Sequence, residues 1–153
     1  MSAAFKTNEA EPYRETLEWL FAQSRRGAAR DPARMAALAR ALGLTTPRSV
    51  HVVGSNGKGS TAAIIAAGLT AAGARAGLFV SPHVEDFCER VSVDGEPISR
   101  RDVVRLLAGW RGLTLPLEPA FFEWTFALAL SHFAARGVAT AVVEAGIGAA
   151  RDA

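Results

Sequence analysis

The stretch Val50-His51-Val52-Val53-Gly54-Ser55-Asn56-Gly57-Lys58-Gly59-Ser60-Thr61 admits few folds. An apolar, β-branched run stops at a glycine-rich turn with one lysine, and a small-residue helical pattern follows at once. A buried strand that delivers a tight turn to a helix N-terminus makes an anion site. Glycines let backbone N–H groups converge there, and the helix end carries partial positive charge. Lys58 adds a point charge, and the hydroxyls of Ser60 and Thr61 can reach a metal or a phosphate oxygen. Gly54, Ser55, Asn56, Gly57, Lys58, Gly59, Ser60 and Thr61 are therefore the candidate phosphate-binding residues. The spacing departs from the common Gly-x-x-x-x-Gly-Lys-Ser/Thr loop. Only Ser55 and Asn56 intervene here, and Gly59 separates Lys58 from Ser60.

The flanking pattern says what kind of sheet holds this turn. Residues 1–10 read as a frayed lead-in, and 11–24 as a helix with Leu17, Leu20 and Phe21 on one buried stripe. Asp31-Pro32 reads as the cap and first turn of a second helix, which Gly43 ends. Residues 49–53 predict a central strand, 59–72 a helix, and 74–80 a second buried strand, which together make a right-handed βαβ unit. Alternation around Asp94-Gly95 predicts a hairpin, and Ser99-Arg100-Arg101-Asp102 a helix start with Val103, Leu106, Leu107 and Trp110 on one face. After a proline-containing linker, a long helix to about Arg136 carries Phe122, Phe126, Leu130 and Phe133 along one side; 140–145 is a third buried strand. The expected class is α/β, an open, mostly parallel sheet with flanking helices, whose ligands bind beyond the carboxyl ends of the strands.

Composition narrows the partners. The chain has 153 residues, half of them hydrophobic, enough for one domain with a core. A net charge of +2 with scattered Lys and Arg describes a solvated surface and no nucleic-acid face. Cys88 is alone, which excludes an intramolecular disulfide and a cysteine zinc cluster and suits a reducing cytoplasm. The polar start is unlike a signal peptide and no apolar run approaches membrane-spanning length, so no membrane partner is expected.

Three further groups stand at strand ends or helix starts. Ser81-Pro82-His83 follows the second strand, where the Ser81 hydroxyl can take a position around Mg²⁺ and His83 can contact phosphate or order the loop; a plain turn serine is the alternative. Glu144 ends an apolar strand, where a carboxylate is expensive unless paired or metal-bound; an ion pair is the alternative to holding Mg²⁺. Phe121-Phe122-Glu123 opens a helix, where aromatics serve the core or a ligand platform and an acid suits the dipole without further function. Cys88 reads as a small loop or core residue and His132 as a helix-face residue.

Together these segments resemble the Mur ligase superfamily, most closely the folylpolyglutamate synthase/dihydrofolate synthase family. The matching stretches are Gly54 to Ser60, Ser81-Pro82-His83-Val84, Glu89-Arg90-Val91, Gly95 to Ser99, Phe122-Glu123, Glu144 to Gly148, and Asp152-Ala153. The departures are Ser55 where Thr is usual, Ala149 and Ala150 for a Gly and an Arg, and Arg151 at a leucine position. The resemblance implies a Mur-ligase-type central domain, with 1–48 as a helical segment packed on it and 49–153 as its first part. It implies a truncated chain, without the C-terminal glutamate-binding domain. It implies an amide ligase: ATP phosphorylates the carboxylate of dihydropteroate or a folate, and L-glutamate attacks the acyl phosphate. Lys58, Glu144 and His83 would be catalytic, and Ser81 and Glu144 would hold Mg²⁺. Phe121, Phe122, Glu123, Arg151, Asp152, Ala153 and the loop Ala28, Ala29, Arg30 would border the pterin. A monomer is expected. A stand-alone or degenerate nucleotide-binding module, or a Mur-type ligase for another carboxylate, fits the same residues.

Overall fold

Strand β5 (Thr140–Glu144) is apolar on both faces until its last residue, and it is covered on both. In the computed structural model, which describes residues 4–26 and 32–146, β5 lies between β1 (Arg48–Val52) and β2 (Ala76–Phe79) and runs parallel to both. Beyond β2, β3 (Val91–Val93) and β4 (Glu96–Pro97) add antiparallel, giving the order β1-β5-β2-β3-β4. The β3–β4 turn has Asp94 at φ 53° and Gly95 at φ 83°. Both central residues are left-handed, the geometry that suits the twist of a two-residue hairpin.

Helix α3 (Lys58–Ala71) covers one face of the sheet, burying Ala62 and Ala66 against Val52 and Val142. Its alanines let it lie close. The other face carries α1 (Ala4–Ala22), α2 (Pro32–Leu42), α4 (Arg100–Trp110) and α5 (Phe121–Ala135) over a larger core. Phe79, Val91, Val93, Ala141 and Val143 of the sheet meet Leu20, Leu38, Val103, Leu107, Trp124 and Phe133 there. Ser99 caps α4 by accepting the Asp102 N–H at 3.1 Å. Gly43, at φ 62°, ends α2, with the Leu44 N–H donating back to the Ala39 carbonyl at 2.9 Å. Among the described residues no helix is long and apolar enough to cross a membrane.

Four expectations need correction. β1 is an edge strand, not a central one: only its β5 side is paired, and Arg48 to His51 are exposed. Its apolar sequence states a demand for cover that the described chain meets on one edge only. α1 begins at Ala4 rather than near Glu11 and runs through Pro12; Ala4, Lys6, Glu9 and Ala10 favour a helix, and they carry it across an interior proline that withholds one backbone N–H from the ladder. Phe21 is 43% exposed, outside the stripe that Tyr13, Thr16 and Leu20 bury. α5 is buried on every side from Glu123 to Leu130, because α1, α2 and α4 surround it as well as the sheet. Asp31 lies outside the described residues.

Candidate active site

The order β1-β5-β2 sets the carboxyl ends of three parallel strands side by side. After β1 the chain turns through Gly54 to Gly57 and enters α3 at Lys58. Gly57 occupies the N-cap at φ 71°, which a side chain tolerates poorly, and no side chain caps the helix. The Thr61 N–H bonds the Gly57 carbonyl at 2.9 Å. The N–H groups of Lys58, Gly59 and Ser60 thus form the uncapped first turn, the donor set a phosphate needs. Ser55, Asn56, Gly57, Ser60 and Thr61 are exposed around it.

Glu144 closes the floor of this turn. Its carboxyl group is buried, at 6% exposure, and Oε2 accepts the Ser81 backbone N–H at 2.9 Å. A Cβ built on Gly59 would stand 3.3 Å from that oxygen, so glycine here lets the loop descend onto the carboxylate. Oε1 has no bonded partner among the described residues, and no buried side-chain oxygen lacks one, so Oε1 stays accessible. One accessible carboxylate oxygen, the neighbouring Ser81 hydroxyl and an exposed Ser60 hydroxyl form a hard-oxygen donor set, the kind Mg²⁺ takes together with phosphate oxygens and water. The residues fit the ion.

The segment after β2 is built by its own side chains. Ser81-Pro82 is a cis peptide. The Glu89 carboxylate accepts the N–H groups of Val84, Glu85 and Asp86 at 2.8, 3.0 and 2.8 Å, and these bonds hold its carboxyl below the usual range. Arg90 is 7% exposed, and its Nε donates to His83 Nδ1 at 2.8 Å. The guanidinium carbon sits 5.2 Å from the Phe121 ring centre and 5.9 Å from that of Phe87. Burial lowers the Arg90 guanidinium from its ordinary value, and the charge of Glu144 opposes that. Burial, and then Arg90, lowers the His83 imidazole, so a neutral ring accepts the bond. Arg90 is a candidate that the sequence reading left without a role. Its place beside Glu89 in a matched segment was the available signal.

The folylpolyglutamate synthase of Lacticaseibacillus casei is 36% identical over 149 residues, covering 92% of this chain and 35% of that protein. The crystal structure of the Thermotoga maritima folylpolyglutamate synthase superposes with a TM-score of 0.81 at 32% identity, over 92% of this chain and 34% of that one. A folylpolyglutamate synthase in complex with AMPPCP and folate gives 0.79 at 36% identity, over 92% and 36%. The chain is homologous to the folylpolyglutamate synthases. It spans about a third of the length of these relatives. No family model matches it.

The residues that the resemblance to the folylpolyglutamate synthases brings forward fall in two places. Phe121 and Phe122 are half-buried at the start of α5, on the rim of the same strand ends. Phe121 stacks on Phe21 at 5.2 Å between ring centres, and Phe122 meets Phe79 edge-on at 5.7 Å. Glu123 is buried, and its Oε2 accepts the Ala120 N–H at 3.0 Å, capping α5. Ala28, Ala29, Arg30, Arg151, Asp152 and Ala153 lie outside the described residues. His132 is buried within α5, away from these groups. An apolar cleft of about 690 Å³, lined by Met35, Ala39, Pro47, His51, Phe126 and Leu130, lies on the sheet face opposite α3.

Proposed function

We propose that this chain forms nucleotide-binding and acid-binding parts of an ATP-dependent amide ligase of the folylpolyglutamate/dihydrofolate synthase type. The observation that carries the reading is the meeting of the uncapped Lys58 turn with Glu144 and Ser81 at adjacent ends of β1, β5 and β2. Homology to folylpolyglutamate synthases, one of them in complex with AMPPCP and folate, supports ATP and a folate-like acid as the ligands.

In this reading a carboxylate oxygen of dihydropteroate or a folate attacks the γ-phosphorus of ATP, and ADP leaves. The amine of L-glutamate then attacks the acyl carbon, phosphate departs, and the nitrogen loses a proton. A carboxylate is a poor electrophile, so the phosphoryl group supplies the leaving group that amide formation needs. The N–H groups of Lys58, Gly59 and Ser60 and the Lys58 ammonium hold phosphate oxygens as charge shifts between them. Glu144 and the Ser81 hydroxyl hold Mg²⁺, which neutralises phosphate charge when bound. His83 orders the segment after β2 through Arg90. Phe121 and Phe122 border the acid, with Glu123 fixing the start of α5. Residues 1–48 act as a helical segment packed on an ATP-binding part that begins at 49, and the chain works as a monomer in the cytoplasm.

Calorimetric titration with Mg-AMPPCP tests the reading. Lys58→Ala should weaken binding at least about tenfold, the loss of roughly 1.4 kcal/mol expected for one charge-assisted phosphate contact. Equal affinity in both proteins would sink it.

A further inference from the structure

Arg90 raises a question that the ligase reading does not answer. Arg90 is a buried residue, and a buried arginine normally has a carboxylate hydrogen-bonded to it, because an interior charge is costly. Among the described residues no carboxylate is hydrogen-bonded to Arg90: its Nε donates to the His83 ring, its two Nη groups meet no acceptor, and Glu144 acts on it through charge alone. No fully buried side-chain nitrogen lacks a partner, so the Nη atoms are the part of Arg90 that stays accessible. The charge is pinned from behind by His83, flanked by the Phe87 and Phe121 rings, and open at its fork.

The backbone of Arg90 lies next to the strand ends that form the site. The Arg90 carbonyl accepts the Val80 N–H at 3.0 Å, opposite the residue before Ser81. The Ser81 N–H is bonded to Glu144, which underlies Gly59 of the phosphate turn. The guanidinium is thus beside the phosphate turn but outside it, where Lys58 and the helix N-terminus already serve phosphate. Its surroundings are aromatic. Phe21, which stacks on Phe121, leaves 43% of its surface exposed at this rim.

We infer that Arg90 is the recognition residue for the carboxylate that the ligase activates, gripping an aryl carboxylate through its paired Nη groups while Phe21 and Phe121 take the attached ring. A planar fork matches two carboxylate oxygens, and aromatic faces suit an aryl acid better than a triphosphate. This rests on the ligase reading and adds the residue that selects an acid over its neutral analogues.

The test compares pteroate with its methyl ester, each titrated into the whole chain, alongside AMPPCP. Wild type should prefer the acid at least about tenfold, as a charge-assisted two-point contact gives. Arg90→Gln should bring that preference to about twofold or less and cost clearly less in AMPPCP affinity than in pteroate affinity. Arg90→Lys keeps the buried charge, and with it the fold, but loses the fork; it should give an intermediate preference, and circular dichroism and melting temperature check both variants. Undiminished preference for the acid in either variant overturns the assignment, as does a loss of AMPPCP affinity equal to the loss for pteroate, which would make Arg90 a phosphate ligand. A wild-type chain that binds AMPPCP but ignores the difference between acid and ester also overturns it, and leaves the nucleotide reading intact. Acid selection through Arg90 without AMPPCP binding would support this assignment and remove the nucleotide reading.

Discussion

The phenol of Tyr13 donates to Asp86 Oδ1 at 2.7 Å, tying α1 to the segment after β2 across 73 positions of sequence. Burial alone would raise the Asp86 carboxyl. The Cys88 N–H, the Tyr13 hydroxyl and Arg100 of α4 outweigh it and hold the group well below the usual carboxylate range. A folded-state value below the unfolded one, about 3.9, gives stability that is present above that pH and is lost as pH falls through the lower folded value. Tyr13→Phe should cost about 1 kcal/mol at pH 7, the low end for a bond to a charged group because Asp86 keeps some solvent. The gap to wild type should narrow only well below about pH 4, as Asp86 protonates in the folded proteins, because the unfolded chains titrate alike. Urea unfolding followed from pH 7 down into strong acid checks this. A gap that does not change with pH would mean the hydroxyl acts without Asp86.

Cys88 sits in the same cluster, 3.3 Å from the Tyr13 hydroxyl, and burial pushes its thiol up to about 11. Thiolate, not thiol, is the nucleophile, so the native chain at pH 8 should react with iodoacetamide about a hundredfold or more slowly than a free cysteine. Mass spectrometry against time reads the rate, and urea should restore it. Fast alkylation of the folded chain would mean that α1 does not seal this side.

Gly77 of β2 faces α5 at close range: a Cβ there would stand 2.8 Å from the Phe133 ring. Gly77→Ala should therefore destabilise by about 1–3 kcal/mol, the range for overpacking a tight core. Phe133→Leu leaves space, so the double variant should be more stable than the two single losses predict by at least about 0.5 kcal/mol. Additive losses in a denaturation cycle would show that the ring is free to move aside.

The elements were legible in the sequence wherever one local pattern decided them. The turn after β1, the Asp94-Gly95 hairpin, the Ser99 cap and the Gly43 stop all declare themselves within a few residues. What failed depended on neighbours. The apolar run of β1 says that it wants cover but not from which strand, and it lies at an edge. Phe21 fits the helical period of the core stripe, yet the turn of α1 points it to the rim, where it meets Phe121. Of the candidate site, Lys58, Ser81 and Glu144 were each readable from a strand end. The Arg90–His83 bond and the Tyr13–Asp86 bond were not, because no spacing rule links side chains that only the fold brings together.

Glu144 carries the sharpest remaining expectation, because its two oxygens do different things. Oε2 is committed to the Ser81 N–H, while Oε1 stays accessible beside the phosphate turn. Glu144→Gln keeps an acceptor for Ser81 and nearly the same volume, so stability should change by less than about 1 kcal/mol. It removes the negative charge that a hard cation requires. In the proposed ligase the affinity for AMPPCP should then lose its dependence on Mg²⁺, falling at least about tenfold in the presence of the ion and little in its absence. Glu144→Ala should differ in kind: the half-buried Ser81 N–H loses its partner, at a cost of about 1 kcal/mol or more, and nucleotide binding falls with or without the ion as the segment after β2 loosens. Titrations with Mg²⁺ and with EDTA, paired with urea unfolding of both variants, separate the two effects. A Gln variant that still gains affinity from Mg²⁺ as wild type does would remove Glu144 from the metal and leave it as a structural anchor for Ser81.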